Sequence, residues 1–275
     1  MADKISLTES VRSNLLALQS TGRAIDQTQT RLSTGLRVNS PLDDAAAFFT
    51  ARAFDNRASD LTSLKTNIDL GISAVQAAIN GIDSISALVD QAKGLASNAK
   101  SSGNTNERST LAVQFNGLLS QINQLANDST FNGTNLLKAS PDNLAIAFNA
   151  ENTTNLTITG LDATTASTGI NLGVAANGFG ANANIDAALT QISAALTELR
   201  GNAATFGSTN TILKPRLDFT ENLANTFEAG SGKLTLADLN EESANLLALQ
   251  TRQQLGLNSL ALASQSERSI LSLFG

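Results

Sequence analysis

The chain contains no cysteine, histidine, tryptophan or tyrosine, and only one methionine and three prolines in 275 residues. Without a thiolate or an imidazole it cannot build ordinary zinc sites, disulfides, or the Ser/His and Cys/His pairs that activate nucleophiles. Lys, Asp, Glu and Ser remain, and they permit fewer mechanisms. The missing cysteine leaves the redox compartment open, because a chain that forms no disulfide is tolerated in reducing and oxidising surroundings alike. Positive charge is also short, with 18 basic against 24 acidic side chains and a net charge of −6. Nucleic acid and anionic membranes both call for a basic patch, so neither is an expected partner. The opening residues MADKISLTES lack the apolar core of a secretory signal, and no apolar run is expected to span a membrane. Any export is therefore expected to use another route.

What the chain does have is 41% apolar residues arranged in sevens. Ala47, Phe54, Leu61, Ile68, Val75, Ile82, Val89 and Ala96 recur at that interval, and Leu64, Gly71, Ala78, Ile85 and Ala92 form a second row beside them. This is a coiled-coil seam, and an unbroken helix through it would be roughly 80 Å long at the α-helical rise. Leu111, Phe115, Leu118, Ile122 and Leu125 predict a second, antiparallel helix. A third runs from Ile185 through Leu199, Phe206 and Leu213 to Phe227, with a kink or short break expected at Pro215. The fold class predicted is mainly α, an elongated antiparallel coiled-coil bundle with a small β element between helices.

That β element is placed at about 130–183, where apolar residues alternate in Leu144, Ile146 and Phe148, in Leu156 and Ile158, and in Ile170, Leu172 and Val174. The two chain ends, 1–42 and 233–275, read as a pair of helices flanking a rod domain, 43–232. Ser6-x-x-Glu9 and Thr235-x-x-Asp238 have capping-box spacing at their starts. The N-terminal stripe is Leu7, Val11, Leu15, Leu18, Ile25, Leu32 and Leu36. The C-terminal segment has two stripes. Leu246, Leu249, Leu257, Leu260, Leu271 and Phe274 share one helical face, while Leu247, Leu255, Leu262 and Leu273 fall nearly opposite. One stripe can be covered by the N-terminal helix, and the other calls for neighbouring chains.

Three patterns invite chemistry and have plainer explanations. Asp43-Asp44 could serve acid/base or metal work, but Ser40-Pro41-Leu42-Asp43 also has capping-box spacing with proline at the first helical position. Gly178-Phe-Gly180-Ala-Asn-Ala183 matches a dinucleotide fingerprint, yet no repeating βαβ pattern surrounds it, so it reads as a loop and no cofactor is expected. Asn152-Thr-Thr and Asn155-Leu-Thr match the N-glycosylation pattern only because the loop is rich in Asn and Thr.

The stretch QTRLSTGLRVNSPLDDAAAF, Gln29 to Phe48, resembles the N-terminal signature of bacterial flagellins. Phe131-Asn-Gly-Thr-Asn-Leu-Leu137 is similar to that family's FNG turn, and LALASQSERSILSLF, Leu260 to Phe274, to its C-terminal helix end. The resemblance covers both ends and most of the helical middle. It implies a structural, non-enzymatic subunit that polymerises into the extracellular flagellar filament for motility and is exported through the flagellar type III apparatus without a cleaved signal peptide. Implied partners are the chain itself, with or without other flagellins, an export chaperone, and hook-associated and cap proteins. The chain looks like a minimal core type, because the short segment near Pro141 to Ala183 stands where many flagellins insert large outer domains.

The residues implicated in assembly are Arg31, Leu32, Gly35, Arg37, Asn39, Asp43, Asp44, Leu255, Leu257, Leu260, Leu262, Leu271 and Phe274. For the arginines of the first segment, including Arg12 and Arg23, the plain reading is a solvated mixed face and the sharper one is salt bridges between subunits. Flagellins detected by the vertebrate innate receptor carry two arginines followed by glutamate and leucine. The similar stretch here has Gln91 and Lys93 in place of the arginines and Gly94 in place of the glutamate, which implies weak detection. Hook–filament junction proteins share the first signature and are the alternative reading, with the C-terminal ending favouring flagellin. A secreted, membrane-acting protein is a more distant alternative and would need more basic helices.

Overall fold

Between Pro41 and Pro141 the sequence has no proline, and the seven-residue repeat there folds as one helix, α2, Ala45–Ser101. The computed structural model describes residues 9–271. In chain order the other elements are α1, Glu9–Thr34, before α2, and after it α3, Thr105–Asp128, two hairpins, β1–β2 at Thr130–Phe131 and Thr134–Asn135 and β3–β4 at Leu144–Ala147 and Asn155–Ile158, then α4, Asn182–Thr235, and α5, Leu239–Leu271. Two units divide these elements. One combines the residues up to Arg57 with those from Thr226 onward, and the other spans Ala58–Asn225.

The core of the second unit follows the heptad seams. Leu61, Ile68, Val75, Ile82, Val89 and Ala96 are buried, as are Leu64, Ala78, Ile85 and Ala92 of the neighbouring row. On α4, Ile185, Ile192, Leu199, Phe206 and Leu213 are buried at the expected spacing. Ion pairs Lys65–Glu221 and Lys100–Asp186 connect α2 and α4 at 2.9 and 2.6 Å on the exposed flanks. Exposed pairs of this kind contribute little, so the apolar seam sets the register. Small residues admit the β element, since a side chain at Gly71 of α2 would collide with Ile146 of β3.

Several local expectations are corrected. On α3 the deepest residues are Ala112, Phe115, Leu119, Ile122 and Ala126, with Leu111, Leu118 and Leu125 half-buried, so the seam is rotated from the larger leucines toward the alanines. Residues 170–174 form no strand. Ile170 and Leu172 are buried, but Asn171 takes a left-handed φ of 46° that breaks the extended run, and the amides of Ile170 and Leu172 donate to Thr164 and Thr165 in the same loop. Pro215 does not break α4, which runs through it; Pro215 is exposed, so water can satisfy the carbonyl left without its partner. Neither of the capping boxes at Ser40 and Thr235 starts its helix: Ser40 and Asp43 do make the reciprocal bonds of a box, Asp43 Oδ2 accepting from the Ser40 amide and Ser40 Oγ from the Leu42 amide, but they close the turn that precedes α2. Asp44 caps α2 by accepting from the Ala47 amide at 3.0 Å, and Asp238 caps α5 through the Asn240 amide at 2.9 Å, whereas Thr235 ends α4. Ser6 lies outside the described residues. The expectation of no membrane-length apolar run also fails on composition, because α2 contains an 18-residue window of mean hydropathy 1.3. Its polar positions Asp69, Gln76, Asn80, Asp83 and Asp90 are exposed and its apolar ones largely buried, the pattern of a bundle helix with a wide stripe.

Where α3 leaves the bundle, Asn135 fastens the chain. Its buried amide donates to the carbonyls of Ala126 and Asn127 at 2.9 and 2.8 Å and accepts from the amides of Leu137 and Lys138 at 2.8 and 3.0 Å. Asn135→Ala leaves all four backbone groups without this partner, and we expect it to lower the stability of this unit by about 2–3 kcal/mol in urea unfolding. Asn135→Asp should be no better, because the carboxylate keeps the acceptors but loses the donors.

Candidate functional site

The unit built from the chain ends is a two-helix seam. Arg31 meets Glu242, Leu18 packs at Gly256, and Leu36 bridges Leu236 in antiparallel fashion, so α1 and α5 run antiparallel. On α1 the inward positions are Val11, Asn14, Leu18, Thr21, Ile25, Thr28 and Leu32, and on α5 Glu242, Leu246, Leu249, Gln253, Gly256, Leu260 and Ala263, each series alternating steps of three and four. This coiled-coil register has polar or small residues at many of its positions. It departs from the apolar stripes read from sequence at two places. Leu15 is turned outward with Asn14 inside, and Leu257 is exposed while Gln253 and Gly256 take the inward places.

Outward on α5 stand Leu247, Leu255 and Leu262, 66, 64 and 67% exposed. Leu16 on α1 is likewise exposed. The two-faced character expected of the C-terminal segment is therefore present: one face meets α1, and the other meets solvent in the single chain. The side chain of Leu271, and Leu273 and Phe274 altogether, lie outside the described residues.

At the base of the seam a hydrogen-bonded turn uses most of the remaining signature residues. Gly35, with φ of 70°, ends α1 in the left-handed conformation that glycine adopts without penalty, and its amide returns to the Arg31 carbonyl at 2.8 Å. The Gly35 carbonyl accepts from Ala237, and the Arg37 and Val38 amides donate to Thr235. Arg37 Nη2 donates to the Leu234 carbonyl at 2.8 Å. Arg31 Nη1 pairs with Glu242 at 2.9 Å, while its buried Nε has no hydrogen-bond partner. Both arginines thus make contacts within the single chain.

The next loop is closed by one carboxylate. Asp43 Oδ2 accepts from the amides of Asn39 and Ser40 and from the Ser40 hydroxyl, at 3.1, 2.9 and 3.1 Å. The Ser40 backbone bond, then that of Asn39, holds the Asp43 pKa below its ordinary 3.8. A depressed carboxylate pKa gives a contribution that is present above the ordinary value and lost as pH falls through the lowered one. The Asn39 and Ser40 amide shifts should therefore titrate below pH 3.8 in NMR spectra, and Asp43→Asn should abolish that titration. Gln91, Lys93 and Gly94 lie far along α2 in the other unit, all exposed.

Comparisons with known proteins decide what this arrangement is. Residues 5–142 match the bacterial flagellin N-terminal helical region, and residues 185–274 match the C-terminal helical region. The chain belongs to the bacterial flagellin family. It is similar to flagellin FljM of Caulobacter vibrioides, 32% identical over 264 residues that cover 94% of this chain and 95% of the relative. It is also 32% identical to a Brucella melitensis flagellin over 272 residues, with the same coverage. Bacillus cereus flagellin shares the fold, with a TM-score of 0.50 at 21% identity, over 56% of this chain and 88% of that one. This flagellin is a structural subunit of the flagellar filament, of minimal size, and the hook-associated alternative is not favoured. The family is one of structural proteins, with its place in the extracellular filament.

Proposed function

We propose that this flagellin polymerises through the outward face of α5, with Leu247, Leu255 and Leu262 covered by neighbouring subunits, and that the paired ends, 1–42 and 233–275, line the inside of the filament. The exposed leucine row of α5 is the observation that carries this reading. Contacts between different patches whose rotation does not close generate an open helix of subunits, so no reaction is needed. The polar residues in the α1–α5 seam make that pair weak by itself, and the ends reach full order as subunits add. The 43–232 segment forms the outer rod. Among the signature residues, Gly35, Asn39, Asp43 and Asp44 act by fixing the turn between α1 and α2.

Export proceeds without a cleaved signal peptide through the type III route, with a chaperone covering the leucine face and cap and hook-associated proteins meeting the filament ends. Electron microscopy of purified protein after salt-induced assembly tests the polymer reading: long tubes support it, whereas monomers or closed rings contradict it. The exposed Gln91, Lys93 and Gly94 lack the planar bidentate contacts of arginine, so activation in an innate-receptor reporter assay is expected to fall well below that of detected flagellins. Restoring arginine at 91 and 93 and glutamate at 94 should raise it; a strong wild-type response would show that these charges are not what the receptor reads.

A further inference from the structure

Beside the turn at Leu36 lies a cleft of about 340 Å³ with an apolar floor of Leu36, Val38, Phe48 and Ala51 and a rim that includes Arg52 and Asp55. Arg52 lies 5.8 Å above the Phe48 ring, which fixes a cation at the cleft edge. A few residues away Leu42 is 96% exposed, an apolar side chain held wholly in water. The loop that carries it is not slack. Asp43 ties Asn39 and Ser40 to the far side of Leu42, and the Leu42 amide donates to Ser40 Oγ. So pinned, Leu42 does not line the cleft of its own chain, and none of the described residues covers it.

We propose that Leu42 of one subunit docks into the Leu36–Phe48–Ala51 cleft of a neighbouring copy, a knob-and-hole contact between successive flagellins. The inference rests on the polymer reading above and adds a second contact, separate from the α5 face. A second copy is the occupant because knob and hole are both present on this chain and do not fill each other, which is the arrangement that propagates an open assembly. Charge supports it, since the knob loop carries Asp43 and Asp44 and the rim offers Arg52. Asp55 on the same rim confines the approach of that acidic loop to the Arg52 side. One leucine and its loop make a small contact, so it strengthens the filament without being able to form it alone.

The absence of cysteine makes a clean test available. Leu42→Cys and Asp55→Cys are prepared as separate single variants and mixed, as minor fractions, into wild-type protein before assembly, followed by a short thiol-bridging reagent. A dimer linked between positions 42 and 55 is expected in pelleted filaments and not in the unassembled mixture. Filaments that yield no such dimer, or only dimers linked between like positions, overturn the proposal and leave the polymer reading intact. Failure of the wild-type protein to polymerise removes both. In parallel, Leu42→Asp should raise the critical concentration for assembly roughly ten- to hundredfold, as expected for losing one buried leucine, while Leu42→Met assembles as wild type. Assembly of Leu42→Asp at the wild-type concentration also overturns it.

Discussion

Phe179→Ala is expected to destabilise the Ala58–Asn225 unit by about 3–5 kcal/mol, the usual cost of emptying a buried aromatic site. Phe179 is fully buried and stacks edge-on against Phe115 of α3 with ring centroids 5.2 Å apart. The backbone that delivers it is unusual. Asn177, Gly178 and Phe179 all take left-handed φ, at 49, 59 and 59°, within the short 3-10 turn Ala176–Phe179. A phenylalanine is held at such an angle only when the surrounding packing outweighs the strain. Two variants separate the contributions. Phe179→Gly removes the ring as Phe179→Ala does, but relieves the left-handed strain, so it should be no less stable than the alanine variant despite glycine's greater chain entropy. Urea unfolding checks both, and a loss under about 1 kcal/mol for Phe179→Ala would show that the site collapses around the missing ring.

The same turn shows what the sequence could and could not disclose. Gly178-Phe-Gly180 has the spacing of a phosphate-binding loop, and the reading as a plain loop rested on the missing βαβ pattern around it. The role of Phe179 as a core plug was not legible, because nothing local distinguishes a phenylalanine that turns inward from one that faces a ligand. The long helices were legible for the opposite reason. Their seams repeat many times, so each of Leu61, Ile68, Val75 and Ile82 supports the others, and a single exception such as Asn210 on α4 does not obscure the period. Caps have no such redundancy. Ser40 and Asp44, or Thr235 and Asp238, offer nearly equal oxygen acceptors a few residues apart, and the turns at Gly35 and Asp43 decide which of them a helix uses. The seam of α1 and α5 was half legible. Its apolar members were found, but Asn14, Thr21, Thr28, Gln253 and Gly256 were invisible to a search for apolar stripes, which drew Leu15 and Leu257 inward in their place.

Replacing Leu255 or Leu262 with aspartate is expected to abolish polymerisation. Both leucines are about two-thirds exposed in the single chain, 64 and 67%, so the substitution removes little that a monomer uses, and exposed changes of this kind stay within about 0.5 kcal/mol. In an assembly the same position would be closed off from water, where an unpaired carboxylate costs several kcal/mol and recurs at every subunit added. That asymmetry makes the effect on assembly far larger than on folding. Thermal unfolding of the Ala58–Asn225 unit should therefore be nearly unchanged, and sedimentation after salt-induced assembly should leave the variant in the supernatant. Leu246→Asp supplies the contrast. Leu246 sits half-buried in the α1-facing row, so its loss should unpair the two end helices in the monomer as well, visible as reduced helical signal before any assembly begins. Hydrogen exchange adds the second reading, since a seam with many polar positions predicts weaker protection of α1 and α5 amides in the monomer than in the filament. Normal filaments from Leu255→Asp, or end helices protected equally in monomer and filament, would place the assembly contact elsewhere on the chain.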